Sequence, residues 1–140
     1  PQRFVHKAEG ASLDQAAMVE FLAIGAHAVR RANVRSGQRV LVVGAGPIGM
    51  AAMIFSKLRG AQVTALDTRR DRLDFCTTQL EMAASVQIAD DDEQQLAALT
   101  DNEFFDVVFD AIMSGISIGI TCAHVEECTC EHCVRQSHSK

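Results

Sequence analysis

The feature that most constrains the fold is a glycine-rich run placed between a short apolar stretch and a helical one. The run has the pattern Gly-x-Gly-x-x-Gly and reads Gly44-Ala45-Gly46-Pro47-Ile48-Gly49. It directly follows residues 39–43, a β-branched run, and it opens residues 47–58, in which apolar side chains recur at helical spacing. Strand, tight turn and helix in this order are typical of a turn that binds phosphate in a parallel sheet.

Each glycine of this run has a distinct physical use. Gly44 permits the tight turn, Gly46 lacks the Cβ that would block a pyrophosphate, and Gly49 lets helix and strand pack closely. Pro47 suits the first position of a helix, where its missing N–H is not needed. The N–H groups at this helix start are free to bind an anion, which predicts a phosphate site made by Gly44, Gly46, Pro47, Ile48 and Gly49.

An acidic residue follows the run at the distance expected for ribose recognition. Asp67 lies 21 positions after Gly46 and ends a second predicted strand. A carboxylate there accepts the ribose hydroxyls and repels a 2′-phosphate, which favours NAD over NADP. Nearby arginines, among them Arg69 and Arg72, leave an alternative open, since a guanidinium can neutralise a 2′-phosphate or lie along adenine. The structural alternatives are a plain loop and an ordinary turn acid.

A helix is predicted before the first strand. Ser12 and Gln15 form a capping-box signature ahead of an alanine-rich run. Apolar residues cover most of the circumference of residues 13–31, which predicts a largely buried helix with Gly25 as a candidate break. His27 lies in this apolar stretch and is expected to be a core histidine rather than a metal ligand.

The rest of the chain alternates between the two kinds of element. Further strands are predicted at 62–66, 84–88 and 105–109, and further helices at 69–80 and 94–99. This order predicts right-handed βαβ units in an α/β, Rossmann-like, doubly wound parallel sheet, of which the first half is present with four to five strands and flanking helices. The predicted divisions are a leading segment and helix at 1–33, an NAD-binding half-domain at 34–111, and a tail at 112–140.

The predicted tail is rich in cysteine and histidine. Its cysteines are Cys122, Cys128, Cys130 and Cys133. Thiolates and imidazoles at this density can bind zinc or copper, so these four are candidate metal ligands. The spacing lacks two separated Cys-x-x-Cys pairs, and the alternative is a read-through or frame-shifted segment that is disordered and binds no metal.

Composition excludes several classes of function. The chain has 140 residues, 48% of them apolar, which fits one globular domain rather than a disordered chain. Its 13 basic and 18 acidic side chains give a net charge of −5, and no basic cluster argues for a nucleic-acid partner. No apolar run reaches membrane-spanning length, and no secretory leader precedes the first helix. The expectation is a cytoplasmic protein without a membrane or nucleic-acid partner.

Two blocks of sequence resemble a known family. Residues 20–31 read Glu-Phe-Leu-Ala-Ile-Gly-Ala-His-Ala-Val-Arg-Arg, and residues 37–49 read Gly-Gln-Arg-Val-Leu-Val-Val-Gly-Ala-Gly-Pro-Ile-Gly. Both are similar to the coenzyme domain of the zinc-type medium-chain alcohol and polyol dehydrogenases, and the resemblance extends over about residues 11–111. Within that family, the sequence resembles the members that act on polyols and sugar acids.

The resemblance implies roles for particular residues. Ile48 would pack on the adenosine side, Asp67 would hold the ribose, and Arg72 would contact the same ribose. Glu20 matches a glutamate that can lie in the catalytic zinc shell, with a helix-surface acid as the alternative. Phe21 stands where the family has proline, and the family's zinc-ligand cysteines and histidine have no counterpart here, so no catalytic residue is assigned.

These expectations combine into one function and two alternatives. The resemblance implies the NAD-binding portion of a zinc-dependent oxidoreductase that transfers hydride between a secondary alcohol and NAD, without turnover in this chain alone. Zinc and a small polyol or sugar-acid substrate belong to intact relatives. One alternative is a non-catalytic nucleotide-binding module with a metal-binding tail. The other is a truncated product that forms homo-oligomers through a sheet edge exposed after Phe109.

Overall fold

A parallel four-stranded sheet with flanking helices forms the fold in the computed structural model, which describes residues 7–103 and 105–112. The elements in chain order are α1 (Leu13–Arg31), β1 (Arg39–Val43), α2 (Pro47–Leu58), β2 (Gln62–Asp67), α3 (Arg70–Thr78), β3 (Ala84–Gln87), α4 (Asp92–Leu99) and β4 (Val107–Asp110). The spatial order of the strands is β3-β2-β1-β4, and every pair is parallel. The predicted α/β, Rossmann-like architecture is therefore confirmed, with four strands.

The order of the strands reverses beside β1. From β1 the chain moves outward through β2 to β3, and it then returns to place β4 on the other side of β1. In open parallel sheets a crevice forms at such a reversal, outside the carboxyl ends of the strands. Gly44 follows β1 and Ala111 follows β4, so the glycine run lies at this crevice.

The sheet is covered on both faces, which explains why the sequence of β1 does not alternate between apolar and polar. Val40 and Val42 belong to one buried cluster, together with residues of α1, α2 and α3. Leu41 and Val43 belong to a second cluster that contains Leu96 of α4. Successive side chains of a strand point to opposite faces, so a strand buried on both sides requires an unbroken apolar run.

The first helix differs from its prediction in burial. Ser12 and Gln15 form the expected capping box, and α1 runs unbroken through Gly25. A Cβ on Gly25 would lie 2.6 Å from the Cβ of Ala51, so this glycine permits a close approach to α2 instead of breaking the helix. The prediction of a largely buried helix is wrong: only Gly25 and Val29 are buried, and Leu13 is 90% exposed. Packing against α2 covers one side of α1 only.

The structure also differs from the sequence-based expectations at His27 and at the bounds of several elements. His27 is exposed, with its Nδ1 3.1 Å from Nη2 of Arg30, so the expectation of a core histidine is wrong. The last strand begins at Val107, two residues later than predicted, because Asp106 turns to bond Arg39 through both its backbone and its carboxylate. Helices α3 and α4 differ from their predicted bounds by one or two residues. Within the described ranges, no helix is long and apolar enough to cross a membrane.

Candidate functional site

The turn after β1 depends on a backbone conformation that favours glycine. Gly44 has a φ of +99°, and its N–H donates to the carbonyl oxygen of Leu66 in β2 at 2.7 Å. A Cβ at this position would also lie 2.9 Å from Cγ1 of Ile112, just beyond β4. Any L-residue here would be strained twice, once by its backbone and once by its neighbour.

The third glycine sets the distance between helix and strand. A Cβ on Gly49 would collide with the carbonyl oxygen of Gly44, and it would lie 3.5 Å from the Cβ of Ala111. The start of α2 therefore lies directly against the end of β1, as the spacing of the glycines predicted. This close approach brings the first turn of α2 into the crevice between β1 and β4.

The start of α2 leaves backbone donors open. Gly46 is the N-cap residue, Pro47 is the first helical residue, and no side chain of the described chain caps this end. Met50 N–H makes a helical bond to the Gly46 carbonyl at 2.8 Å. Helix geometry leaves the N–H groups of Ile48 and Gly49 without a helical acceptor, and the helix dipole adds partial positive charge there.

The second glycine borders open space. Among the described residues, a Cβ built on Gly46 would have a single heavy atom as its neighbour within 4 Å, Nη1 of Arg72 at 4.0 Å. The conformation of Gly46 is extended and suits any residue, so a folded chain does not require glycine here. A ligand that approaches the backbone at this position would use the missing side chain.

Asp67 is 6% exposed, and its carboxylate lies beside the glycine turn. Its Oδ2 accepts the N–H of Ala45 at 2.6 Å, and its Oδ1 accepts the N–H of Arg69 at 2.8 Å. Nη1 of Arg72 lies 3.9 Å from Oδ2, with the Arg72 side chain 41% exposed. The structure thus brings Asp67, Arg72 and the glycine turn together at one edge of the sheet.

The other two arginines of this region are engaged with acids of α3. Arg69 pairs with Asp71 at 2.5 Å, and Arg70 pairs with Asp74 at 2.9 Å. The hydrogen bond and charge of Asp71 raise the pKa of Arg69, and Arg69 lowers the pKa of Asp71 in return. These pairs hold two of the three guanidinium groups at the start of α3, those of Arg69 and Arg70, and leave that of Arg72.

Sequence reasoning missed two parts of the site. Ala45 contributes only its N–H, which bonds Asp67, and a side chain as small as alanine gives no signal of that contact. Ala111 and Ile112 lie against Gly44 and Gly49, although the sequence placed them at a domain boundary. The sequence indicated their position only indirectly. A strand that returns beside β1, parallel to it, must end next to the glycine turn, and Ala111 and Ile112 follow that strand.

Only one of the candidate metal ligands, Glu20, lies in the part of the chain that the structure describes. Glu20 is exposed on α1. Residues 7–103 and 105–112 contain no group of three or more His, Cys, Asp or Glu side chains that could hold a metal ion. Glu20 therefore has no set of fellow ligands in that part of the chain. The four candidate cysteines of the tail, Cys122, Cys128, Cys130 and Cys133, lie outside the described residues.

Known sequences resemble the chain over much of its length. The sequence model of a family described as zinc-binding dehydrogenase matches residues 47–126. L-galactonate-5-dehydrogenase of Escherichia coli is 43% identical over 104 residues, which cover 74% of this chain and 31% of that enzyme. Sorbitol dehydrogenase of Bos taurus is 37% identical over 92 residues, which cover 64% of this chain and 25% of that enzyme.

Solved structures share the fold. An oxidoreductase/dehydrogenase of unknown specificity from Escherichia coli superposes with a TM-score of 0.78 at 25% identity, over 84% of this chain and 34% of that one. The 2R,3R-butanediol dehydrogenase of Bacillus subtilis superposes with a TM-score of 0.70 at 25% identity, with the same two coverages. The chain thus spans about a third or less of the length of the proteins it resembles.

Proposed function

The chain belongs to the zinc-binding dehydrogenase family, and from this premise we propose that it forms the NAD-binding portion of a dehydrogenase that oxidises a polyol or sugar acid. The substrate class rests on the relatives, among which are L-galactonate-5-dehydrogenase and sorbitol dehydrogenase. Dinucleotide binding rests on one observation in this chain. Within the described part of the chain, Gly46 borders open space at the uncapped start of α2, and the buried carboxylate of Asp67 accepts the N–H of the adjacent Ala45.

Each part of a dinucleotide has a matching group at this edge. The N–H groups of Ile48 and Gly49 would hold the pyrophosphate over Gly46, since a helix start favours anions. Asp67 would accept hydroxyls of the adenosine ribose, with Arg72 beside it. The Ile48 side chain, 43% exposed, offers apolar surface to the adenosine.

The charges favour NAD over NADP. A 2′-phosphate would be placed against the carboxylate of Asp67, and like charges at close range repel. Arg69 and Arg70 are already paired with Asp71 and Asp74, and Arg72 lies 3.9 Å from the Asp67 carboxylate itself, so each of the three guanidinium groups already faces an acid. Breaking either pair would reduce the gain from a new contact with phosphate.

Turnover requires groups beyond the described residues. In a zinc-dependent dehydrogenase the metal acts as a Lewis acid on the substrate oxygen, and the nicotinamide accepts the hydride. The described residues do not fit a zinc ion, as no ligand cluster includes Glu20. We therefore assign no catalytic step to this chain and expect capture of the dinucleotide without turnover.

Calorimetric titration with NADH and NADPH in parallel tests the proposal. Wild type should bind NADH at least about tenfold more tightly than NADPH, and Asp67→Ala should abolish this preference. Glu103→Ala is the matched control, because it removes an equal charge from an exposed position at the opposite end of the sheet. Failure of the wild-type chain to bind NADH would contradict the proposal, as would an undiminished preference in Asp67→Ala.

A separate assay tests the expectation about turnover. The wild-type chain is mixed with NAD, Zn²⁺ and either sorbitol or L-galactonate, and the absorbance of NADH is followed. No NADH should form. Formation of NADH above the rate of a Gly49→Ala control would show that this chain holds a complete catalytic site.

A further inference from the structure

We propose that Asp67 is also a positioning residue, which holds the glycine turn in the shape that receives a pyrophosphate before any dinucleotide binds. The ligand part of this inference rests on the proposed function, whereas its structural part concerns the free chain. A ribose-binding acid needs no bond to the turn, so the bond between Asp67 and Ala45 requires its own explanation.

The first argument is the position of the bonded N–H. Ala45 lies between Gly44 and Gly46 and is fully buried. Its N–H donates to Oδ2 of Asp67 at 2.6 Å, which is short even for a bond to an ionised acceptor. The neighbouring Gly44 N–H donates to the carbonyl of Leu66, the residue before Asp67. The last two residues of β2 thus hold two successive N–H groups of the turn.

The second argument is that both oxygens of the carboxylate face backbone donors. Oδ1 accepts the N–H of Arg69, the residue that precedes α3, while Oδ2 accepts that of Ala45. An amide of the same shape has only one acceptor oxygen, and its NH₂ group would face the other donor. The position therefore requires an acid for a reason that is independent of ribose.

The third argument is that the two roles are compatible. An ionised carboxylate has about four sites for accepted hydrogen bonds. Ala45 and Arg69 use two of them, and the Thr68 hydroxyl donates to Oδ1 over a longer 3.5 Å, so capacity remains for a ribose hydroxyl. A turn that is already fixed needs no ordering when the ligand arrives, and this lowers the entropic cost of binding. One buried side chain would then both shape the phosphate site and recognise the sugar.

Amide hydrogen exchange in the ligand-free chain tests the structural part. Asp67→Ala should raise the exchange rate of Ala45 N–H by about tenfold or more, since its acceptor is gone. Exchange in α4 should stay as in wild type, and a Glu103→Ala control should match wild type at Ala45. Unchanged exchange at Ala45 in Asp67→Ala would overturn the proposal.

A second variant covers the case in which alanine unfolds the chain. Asp67→Asn keeps the shape of the side chain and one acceptor oxygen, so the fold should persist. Exchange should rise at Ala45 or at Arg69, because the amide can accept from only one of them. Wild-type exchange at both positions would overturn the proposal.

A chemical double-mutant cycle tests the ligand part. The probe is an NADH analogue whose adenosine ribose lacks the 2′- and 3′-hydroxyls. If Asp67 acts through ribose alone, Asp67→Ala and wild type bind this analogue equally, and the proposal is overturned. If Asp67 also positions the turn, the variant binds the analogue about tenfold more weakly than wild type. Should wild type bind no NADH, the proposed function fails, and the exchange experiment still decides the positioning role.

Discussion

The two ends of the parallel sheet use polar groups in opposite ways. At the amino end, the Arg39 guanidinium donates to the carbonyl of Thr100 at 3.2 Å and to Oε2 of Glu103 at 2.6 Å, and the Arg39 N–H donates to Oδ2 of Asp106 at 2.7 Å. At the carboxyl end, one buried carboxylate holds the backbone of the glycine turn, and the first donors of α2 point outward.

The polar groups at the amino end of the sheet stabilise the fold, whereas those at the carboxyl end form a candidate ligand site. At the amino end, partly or largely exposed side chains make hydrogen bonds with one another and with the backbone. These bonds hold the loop between α4 and β4 against β1. At the carboxyl end, no described side chain caps the start of α2, and the polar groups that are bonded are those that shape the turn. Donors left open at an ordered position are what a ligand requires. The predictions below test this division of roles.

Gly49→Ala should have the largest effect. Its Cβ would meet the carbonyl oxygen of Gly44, a backbone atom that cannot move without shifting α2 from β1. The free energy of unfolding should fall by about 3 kcal/mol, at the upper end of overpacking costs. Urea unfolding measures this value. A loss below about 1 kcal/mol would show that the helix can retreat from the strand.

Gly46→Ala should damage binding while sparing the fold. The added Cβ enters open space in an extended backbone, so the free energy of unfolding should change by about 1 kcal/mol or less. The same Cβ would occupy the place of the pyrophosphate, and NADH affinity should fall by about a hundredfold. Calorimetry at one protein concentration compares the variant with wild type. Wild-type affinity in Gly46→Ala would contradict the position assigned to the phosphates.

Arg39→Ala should weaken the fold while leaving NADH binding unchanged. Loss of the bonds to Thr100 and Glu103 should lower the free energy of unfolding by about 1 kcal/mol. The affinity of the folded chain for NADH should not change. Glu103→Ala is the control, because an ion pair with one carboxylate 71% exposed contributes about 0.5 kcal/mol or less. Weaker NADH binding in Arg39→Ala would mean that the two ends of the sheet are coupled.

Cys76 should give the smallest effect, seen in the pH dependence of stability. Burial, with the charge of Asp67 adding to it, raises the pKa of this thiol in the folded chain. As pH rises, the unfolded chain loses the thiol proton first, near pH 8.5. The contribution of Cys76 is therefore complete below that pH and is lost as pH rises through the folded-state pKa.

Urea unfolding of wild type and Cys76→Ala at pH 7 and at pH 10 measures this contribution. The stability of wild type relative to the variant should be lower at pH 10. An equal difference at the two pH values would show that the thiol is no harder to ionise in the folded chain than in the unfolded one.

The sequence predicted the parts of the fold that local chemistry determines. Strand β1 and helix α2 have their predicted bounds. The strand is a β-branched run that ends at the glycine turn, and the helix begins at Pro47 and ends just before Gly60. The position of Asp67 followed from its spacing to the glycines. These features depend on residues close together in the chain, which pattern reasoning can read directly.

Features that depend on distant residues escaped prediction. The burial of α1 is set by how much of its surface α2 covers, and apolar content alone overstated it. The start of β4 is set by Asp106 bonding to Arg39, a residue 67 positions away. The bond from Ala45 to Asp67 joins the ends of two strands, and it exists only once their register is fixed.

A titration of the ¹⁵N-labelled chain with NADH, followed through its amide chemical shifts, tests the division between the two ends most directly. The largest shifts should occur at residues 44–46, 48–49 and 67–72, with further shifts at Ala111 and Ile112. Arg39, Thr100 and Glu103 should keep their positions in the spectrum. Saturable shifts that are largest at the amino end, or a turn whose amides do not respond to NADH, would contradict the account.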